Sequence, residues 1–339
     1  MTMKQFIEKC LAGENLTTDE ASSALELIMT DQASESQIAG LLVALRAKGE
    51  TVDELVGFAR TMREKSVKVR ADDPHAIDMC GTGGDGLGTF NISTLASLVA
   101  AGAGVTVAKH GNRSVSSRSG SADLLKAMGV NISLPPERAS GCLNVVGVAF
   151  LFAPLFHPAM KFAAKPRADL GVRTIFNLLG PITNPAGVTK QLVGTYRKEA
   201  ASSIAEALGR LSTERACVVH SDNGMDEVAV SGRTSVFEIN ASGPPRTYTV
   251  SAGTFGLQDH PASSVAGGTP EENAVIALRV LEKERGPYRD VVVANAAVGI
   301  YVAGKAKDLS EGSAKASESI DSGRALDTLR RLVEYSNRP

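Results

Sequence analysis

The run Gly81-Thr82-Gly83-Gly84-Asp85-Gly86-Leu87-Gly88-Thr89-Phe90-Asn91-Ile92-Ser93-Thr94 is rich in glycine and empties into an apolar stretch. Glycines let backbone N–H groups turn toward an anion without a Cβ in the way, and a helix start adds unpaired donors with partial positive charge. The run is therefore a candidate phosphate cradle, with a structural glycine turn as the plain alternative. Asp85 and the polar residues from Asn91 to Thr94 weigh for the cradle. A second run, residues 109–121, holds three cations, a histidine, an asparagine and five serines. Hydroxyls, Lys as a point charge and Arg as a fork are the groups that surround phosphate oxygens.

Spacing narrows the ligand. Gly81, Gly83 and Gly86 fit the G-x-G-x-x-G pattern of dinucleotide folds, a weak signal alone. That fold also needs an acid at the end of the next strand to hold a ribose hydroxyl. Here the next strand candidate ends in Lys109-His110-Gly111-Asn112-Arg113, so a cation stands where the acid belongs. No Gly-Lys-Ser/Thr closes the glycine run, which excludes a Walker loop. In open parallel sheets ligands sit beyond the carboxyl ends of strands, so two polar loops one strand apart can share a ligand.

The elements that position these loops come from the rest of the chain. Thr17-x-x-Glu20, Ser34-x-x-Gln37 and Thr51-x-x-Glu54 are capping boxes, and apolar residues follow each at helical spacing. They predict a small helical domain over residues 1–70, with 68–75 as linker. From residue 76 on, strand candidates at 77–80, 105–109, 148–152, 191–194 and 215–220 alternate with helical stretches. That order predicts a mostly parallel sheet with crossover helices. Shorter strands are expected at 228–230, 235–240 and 247–250, forming an antiparallel edge. Thr269-Pro270-Glu271-Glu272 opens a run of helices to the end. The fold class is thus α/β, a small N-terminal helical domain plus a larger α/β domain over 71–159 and 190–339.

Composition excludes several classes. The chain has 339 residues, 43% hydrophobic and 22% charged, with net charge -1. That balance offers no general attraction to nucleic acid. Its four cysteines are far apart, with no C-x-x-C pair to hold zinc, and read as reduced thiols of a cytoplasmic protein. The first residues alternate charged and apolar groups, unlike a signal peptide. The apolar run 95–108 is too short and too glycine-rich to span a membrane.

Gly81-Thr82-Gly83-Gly84-Asp85, Asn91-Ile92-Ser93-Thr94, Lys109-His110-Gly111-Asn112-Arg113 and Arg173-Thr174-Ile175-Phe176-Asn177-Leu178-Leu179-Gly180-Pro181 occur in this order. Together, over essentially the whole chain, they resemble the anthranilate phosphoribosyltransferase family. The resemblance implies transfer of a phosphoribosyl group from phosphoribosyl pyrophosphate to the amine of anthranilate, a step of tryptophan synthesis. It implies a nucleoside phosphorylase-like fold in which part of 160–189 returns to the helical domain, and a homodimer formed through that domain. It places the donor against Gly81, Gly84, Asp85, Thr89, Asn91, Ile92, Ser93, Thr94, Lys109, Ser117 and Ser121. Anthranilate falls to Gly81, His110, Asn112 and Arg167, where an Arg fork suits its carboxylate. Mg2+ falls to Ser93, Asp226 and Glu227. His220-Ser221-Asp222-Asn223-Gly224-Met225-Asp226-Glu227 resembles the family's acidic metal motif, with Ser221 in place of glycine and Met225 in place of leucine.

His110 is a candidate general base, although a polar contact suits it better, because an aromatic amine is already neutral and can attack before losing its proton. His75, His157, His220 and His260 have no metal-ligand spacing and are assigned structural roles. The rival readings are a pyrimidine nucleoside phosphorylase, which has no use for the Arg167 segment, and a nucleic-acid-binding relative, which would carry a basic balance.

Overall fold

The structure, a computed structural model, describes residues 1–113 and 118–338. Four helices open the chain: α1 (Met3–Leu11), α2 (Thr18–Met29), α3 (Glu35–Lys48) and α4 (Val52–Lys65). The last three start at the expected boxes, in which the Thr or Ser hydroxyl accepts the N–H three residues on. α1 uses the same device, Thr2 with Gln5, and is an addition to the helices expected from sequence.

The sheet then builds through β1 (Ile77–Gly81), α5 (Ile92–Gly102), β2 (Val107–Gly111), α6 (Ser121–Ala127), α7 (Pro136–Val146) and β3 (Val148–Phe152). Helices α8 (Ala153–Phe156), α9 (Lys161–Leu170) and α10 (Phe176–Leu179) intervene before β4 (Lys190–Gly194). After α11 (Lys198–Arg210) come β5 (Arg215–Ser221), β6 (Thr234–Asn240) and β7 (Gly243–Val250). Four helices finish the described chain: α12 (Pro270–Leu281), α13 (Pro287–Val302), α14 (Leu309–Asp321) and α15 (Arg324–Asn337).

The spatial order is β3-β2-β1-β4-β5-β6-β7. β1 to β5 pair in parallel, and β6 and β7 form the expected antiparallel edge. β2 begins two residues later than expected, because the Val105 amide donates to the Ala100 carbonyl and closes the end of α5. The expected strand at 228–230 is absent. Its apolar residues are buried, but the Val228 N–H and carbonyl pair with the Asn295 side-chain amide instead of a neighbouring strand.

Two buried clusters divide the faces of the sheet. Leu192, Cys217 and Val219 pack with α5 and α13 on one face, while Val193, Ala216 and Val218 pack with α11 on the other. This is the period-two alternation of a sheet covered on both sides. The second cluster also takes in the apolar faces of α1 to α4 and Ala163, Phe176, Leu179 and Ile182 from the segment between β3 and β4. From β1 the chain winds to one side through β2 and β3, then returns to β4 on the other. Such a reversal opens a crevice beyond the carboxyl ends of β1 and β4.

Candidate active site at the switch point

The glycine run leaves β1 at that crevice. Gly83, Gly84, Gly86 and Gly88 all have φ between 63° and 79°, a region that L side chains adopt at a cost, so the loop needs these glycines to make its turns. Its far end is tied down: Gly267 donates to the Gly88 carbonyl at 2.8 Å and Phe90 donates to the Val265 carbonyl at 3.2 Å. Thr89 bridges Ala266. Asn91 caps the approach to α5 without a side-chain cap bond. Its amide instead joins three segments, with Nδ2 donating to the Ser119 carbonyl and Oδ1 accepting from Ser119 Oγ and Asn273 Nδ2, all at 3.0 Å. Sequence reasoning places Asn91 on the donor. In the structure its side chain joins the two polar loops.

An acidic turn lies directly over the strand ends. Gly81 and Gly194 are paired across β1 and β4, and Asp226 crosses both. A Cβ on Gly194 would stand 1.6 Å from the Asp226 carbonyl oxygen, and one on Gly81 would stand 2.4 Å from its Oδ2. The two glycines form the notch that seats this residue. Gly194→Ala is therefore expected to lower stability by about 3 kcal/mol or to displace the turn; a denaturant midpoint equal to that of the parent chain would contradict the notch.

Asp226 Oδ2 accepts the Gly83 N–H at 2.7 Å, and Glu227 Oε1 accepts the Ser93 N–H at 3.0 Å at the start of α5. Both carboxyls are buried and held above the usual carboxylate range. For Asp226 the causes are burial and then the facing Asp85 carboxylate; for Glu227 they are burial and then Asp226. Lys109 opposes this at Glu227. Its buried ammonium donates to the Met79 carbonyl at 2.6 Å and to Ser93 Oγ at 3.4 Å. Asp85 Oδ2 is buried with no hydrogen-bond partner among the described residues. Asp85, Asp226, Glu227, Ser93 and Lys109 thus converge, whereas in sequence they span the length of the sheet.

The second loop starts from β2. The His110 N–H donates to Asp78 Oδ1 at 3.1 Å, and its ring Nδ1 lies 3.1 Å from the Gly180 carbonyl. A carbonyl can only accept, so Nδ1 carries the proton and Nε2 presents its lone pair. That Nε2 is buried and has no partner among the described residues. Asn112 is exposed beside it in the chain, and Ser121 Oγ donates to the Asn112 carbonyl at 3.2 Å. Ser117 lies outside the described residues.

Sequence assigns His157 a structural role, but the structure puts its ring 5.2 Å from that of His110, centre to centre. Both its nitrogens are buried without hydrogen-bond partners among the described residues. His75, His220 and His260 meet Lys190, the Thr195 carbonyl and Asp290 respectively, as structural histidines do. Nothing local marks His157 as different, since a long stretch of chain separates it from His110.

Burial and the neighbouring His157 press His110 down to about 3, and burial presses His157 down to about 4. Both stay neutral in the fold but protonate in the unfolded chain from about 6.5 downward. Stability is therefore expected to fall as pH drops below 6.5, by about 1 kcal/mol per pH unit per histidine. Unfolding midpoints at pH 7 and pH 5 check this. His157→Gln should flatten the slope, and an unchanged slope would contradict it.

Arg167 projects from α9 with its guanidinium carbon 5.0 Å from the centre of the Phe176 ring. It is partly buried, and among the described residues no carboxylate pairs with it. Burial lowers its pKa. Arg173, which the sequence reading leaves out of the site, reaches across to donate to the Gly84 carbonyl and lies 3.9 Å over the Tyr196 ring. The segment from α9 to residue 182 thus faces both polar loops, through Arg173 to the glycine loop and through Gly180 to His110.

Comparison with known proteins agrees with this architecture. A model described as "Glycosyl transferase family, helical bundle domain" matches residues 4–66, and one described as "Glycosyl transferase family, a/b domain" matches residues 73–326. An anthranilate phosphoribosyltransferase of Pelotomaculum thermopropionicum is 52% identical over 98% of this chain and 96% of its own length. The crystal structure of anthranilate phosphoribosyltransferase from Thermus thermophilus superposes with a TM-score of 0.93 at 45% identity, covering 98% of this chain and 99% of that one. The Saccharomyces cerevisiae enzyme in complex with PRPP and Mg gives 0.90 at 30% identity over 98% and 97% of the two chains. The same yeast enzyme has also been seen with 4-fluoroanthranilate. On sequence across nearly its whole length and on fold, this chain belongs to the anthranilate phosphoribosyltransferase family.

Proposed function

We propose that this chain transfers the phosphoribosyl group of phosphoribosyl pyrophosphate to the amine of anthranilate, releasing pyrophosphate, with Mg2+ as cofactor. The observation that carries the reading is the convergence of the glycine loop, Lys109 and the acidic turn at the switch-point crevice, with Arg167, which meets no carboxylate among the described residues, on the facing segment.

The residues fit a magnesium ion. Asp85, Asp226 and Glu227 crowd negative charge into a buried space, and among the described residues Asp85 Oδ2 lacks a hydrogen-bond partner. Among the described residues no three His, Cys, Asp or Glu side chains form a complete metal cage. Mg2+ prefers a few carboxylates, waters and substrate phosphates to such a cage. Asp226 and Glu227, with Ser93 Oγ, would hold it. When bound it supplies positive charge to the oxygens of the departing pyrophosphate.

The chain's own groups do the remaining work. The amides of the glycine loop and the start of α5 receive the anionic oxygens, joined by Lys109 and Ser121. Thr89, Asn91, Ile92 and Thr94 shape that cradle. Gly81 lets the sugar approach the backbone. As the bond from C1 of the ribose to the pyrophosphate oxygen breaks, the sugar becomes oxocarbenium-like, and the aromatic amine must lie in line behind it. Arg167 grips the anthranilate carboxylate as a fork, while Asn112 and the neutral edges of His110 and His157 line its amine side. With its basicity so depressed by burial, His110 serves as a polar contact for the acceptor rather than as general base.

Dimerisation is proposed through the helical unit, where Leu11 of α1 and Val43 of α3 are exposed at 70% and 45%. No helix of the described residues is long and apolar enough to cross a membrane. A cytoplasmic location is proposed from the biosynthetic reaction. The test of the activity is direct. Purified protein with both substrates and magnesium should consume anthranilate, followed by loss of its fluorescence. No loss with well-folded protein would refute the reading.

A further inference from the structure

The acidic turn has no strand ladder of its own, yet the backbone from the Glu227 carbonyl to the Ala229 amide is bonded. Three side chains do this. Ser221 Oγ donates to the Glu227 carbonyl at 2.7 Å. It also lies 2.7 Å from Thr234 Oγ1, its cross-strand partner on β6. Ser221 has one hydroxyl proton, already given to Glu227, so Thr234 must donate to Ser221. The Ala229 N–H is shared between the two hydroxyls at 3.2 and 3.1 Å. Asn295, from the middle of α13, accepts the Val228 N–H at 2.9 Å and donates to the Val228 carbonyl at 2.9 Å. Ser221, Thr234 and Asn295 are each 0% exposed. A relay of hydroxyls thus ends on the carbonyl of Glu227, and an amide clamps the next residue. Hydrogen bonds in such buried chains reinforce one another.

Resting on the reading that Asp226 and Glu227 hold the cation, we propose that Ser221, Thr234 and Asn295 are positioning residues that set the reach of those two carboxylates. None of them touches substrate. The glycine notch at Gly81 and Gly194 fixes Asp226 from the sheet side, and the hydroxyl pair and amide fix Glu227 to Ala229 from the other. Ser221, where the family pattern has glycine, adds a hydroxyl that a glycine lacks. Orienting groups of this kind change metal affinity by about 10–100-fold when removed.

The test uses the full chain with magnesium chloride and inorganic pyrophosphate as probes. Two quantities are read: the magnesium concentration at the midpoint of the metal-dependent rise in melting temperature, and that giving half-maximal transferase activity. Ser221→Ala and Thr234→Val are each expected to raise both about tenfold, with the KM for anthranilate changed less than twofold. Thr234→Ser, which keeps the hydroxyl, should return both to the parent values. Ser221→Gly matches the family pattern and stands in should Ser221→Ala fold poorly. An unchanged magnesium midpoint in Ser221→Gly and Thr234→Val would overturn the proposal, as would equal rises in the magnesium requirement and the anthranilate KM. The double variant Asp226→Asn with Glu227→Gln separates the two levels. If it keeps the magnesium response, the metal reading fails and the positioning role with it. If it loses the response while the Ser221 and Thr234 variants keep theirs, the positioning role alone is overturned.

Discussion

Replacing Asp226 by Asn together with Glu227 by Gln is expected to cut kcat/KM for both substrates by about a thousandfold while the protein still folds. The magnitude follows from what the pair does. Charge builds on the departing pyrophosphate oxygens, and removing one prearranged stabiliser of such charge costs about 10²–10³ in rate. The amides keep the hydrogen bonds to Gly83 and Ser93 possible through their carbonyl oxygens, so the turn is retained. Removing two buried carboxyls that crowd one another also relieves repulsion, so the melting temperature without metal should hold or rise. The informative combination is lost activity with undiminished stability. Retained activity with an unchanged magnesium titration would remove these residues from the metal site.

Arg167→Ala should raise the KM for anthranilate by about a hundredfold and leave that for phosphoribosyl pyrophosphate within about twofold. A hydrogen bond to a charged group is worth about 1.5–3 kcal/mol, and a forked guanidinium can make two to one carboxylate. The cation over Phe176 has no carboxylate partner of its own among the described residues, so little internal structure is lost with it. Arg167→Lys should recover only part of the affinity, because a point charge cannot reproduce the fork. Steady-state kinetics with each substrate varied in turn decides the matter; equal effects on both KM values would contradict the assignment.

Sequence revealed most where the determinants are local. The boxes at Thr17, Ser34 and Thr51 name their helices because the hydroxyl and its partner lie three residues apart. The same box at Thr2 is equally local and marks α1. β3 keeps its expected bounds, 148–152, because Gly147 ends the helix before it. Residues 228–230 look like a strand by composition, but Asn295, Ser221 and Thr234, none of them adjacent in the chain, take the Val228 and Ala229 backbone groups. The glycine loop and its place after β1 are legible in the sequence. Its closure by Arg173, and the facing of His110 by His157, depend on how the segment between β3 and β4 crosses back, which no spacing encodes.

The shared core of the first four helices with α9 to α11 has a consequence for how the chain acquires its structure. Phe58 meets Phe176 edge to face at 6.0 Å between ring centres, and Leu25, Leu42 and Leu55 belong to the same cluster as Ile204 and Leu208. These helices precede α9 to α11 in the chain and pack in part on one another, yet the surfaces that meet α10 and α11 stay uncovered until about two hundred residues have been made. Contacts that distant in the chain form late, after loop closure has been met. The helices α1 to α4 are thus made before the segments they pack on and consolidated with them, so about a fifth of the sequence depends on the middle for its native packing.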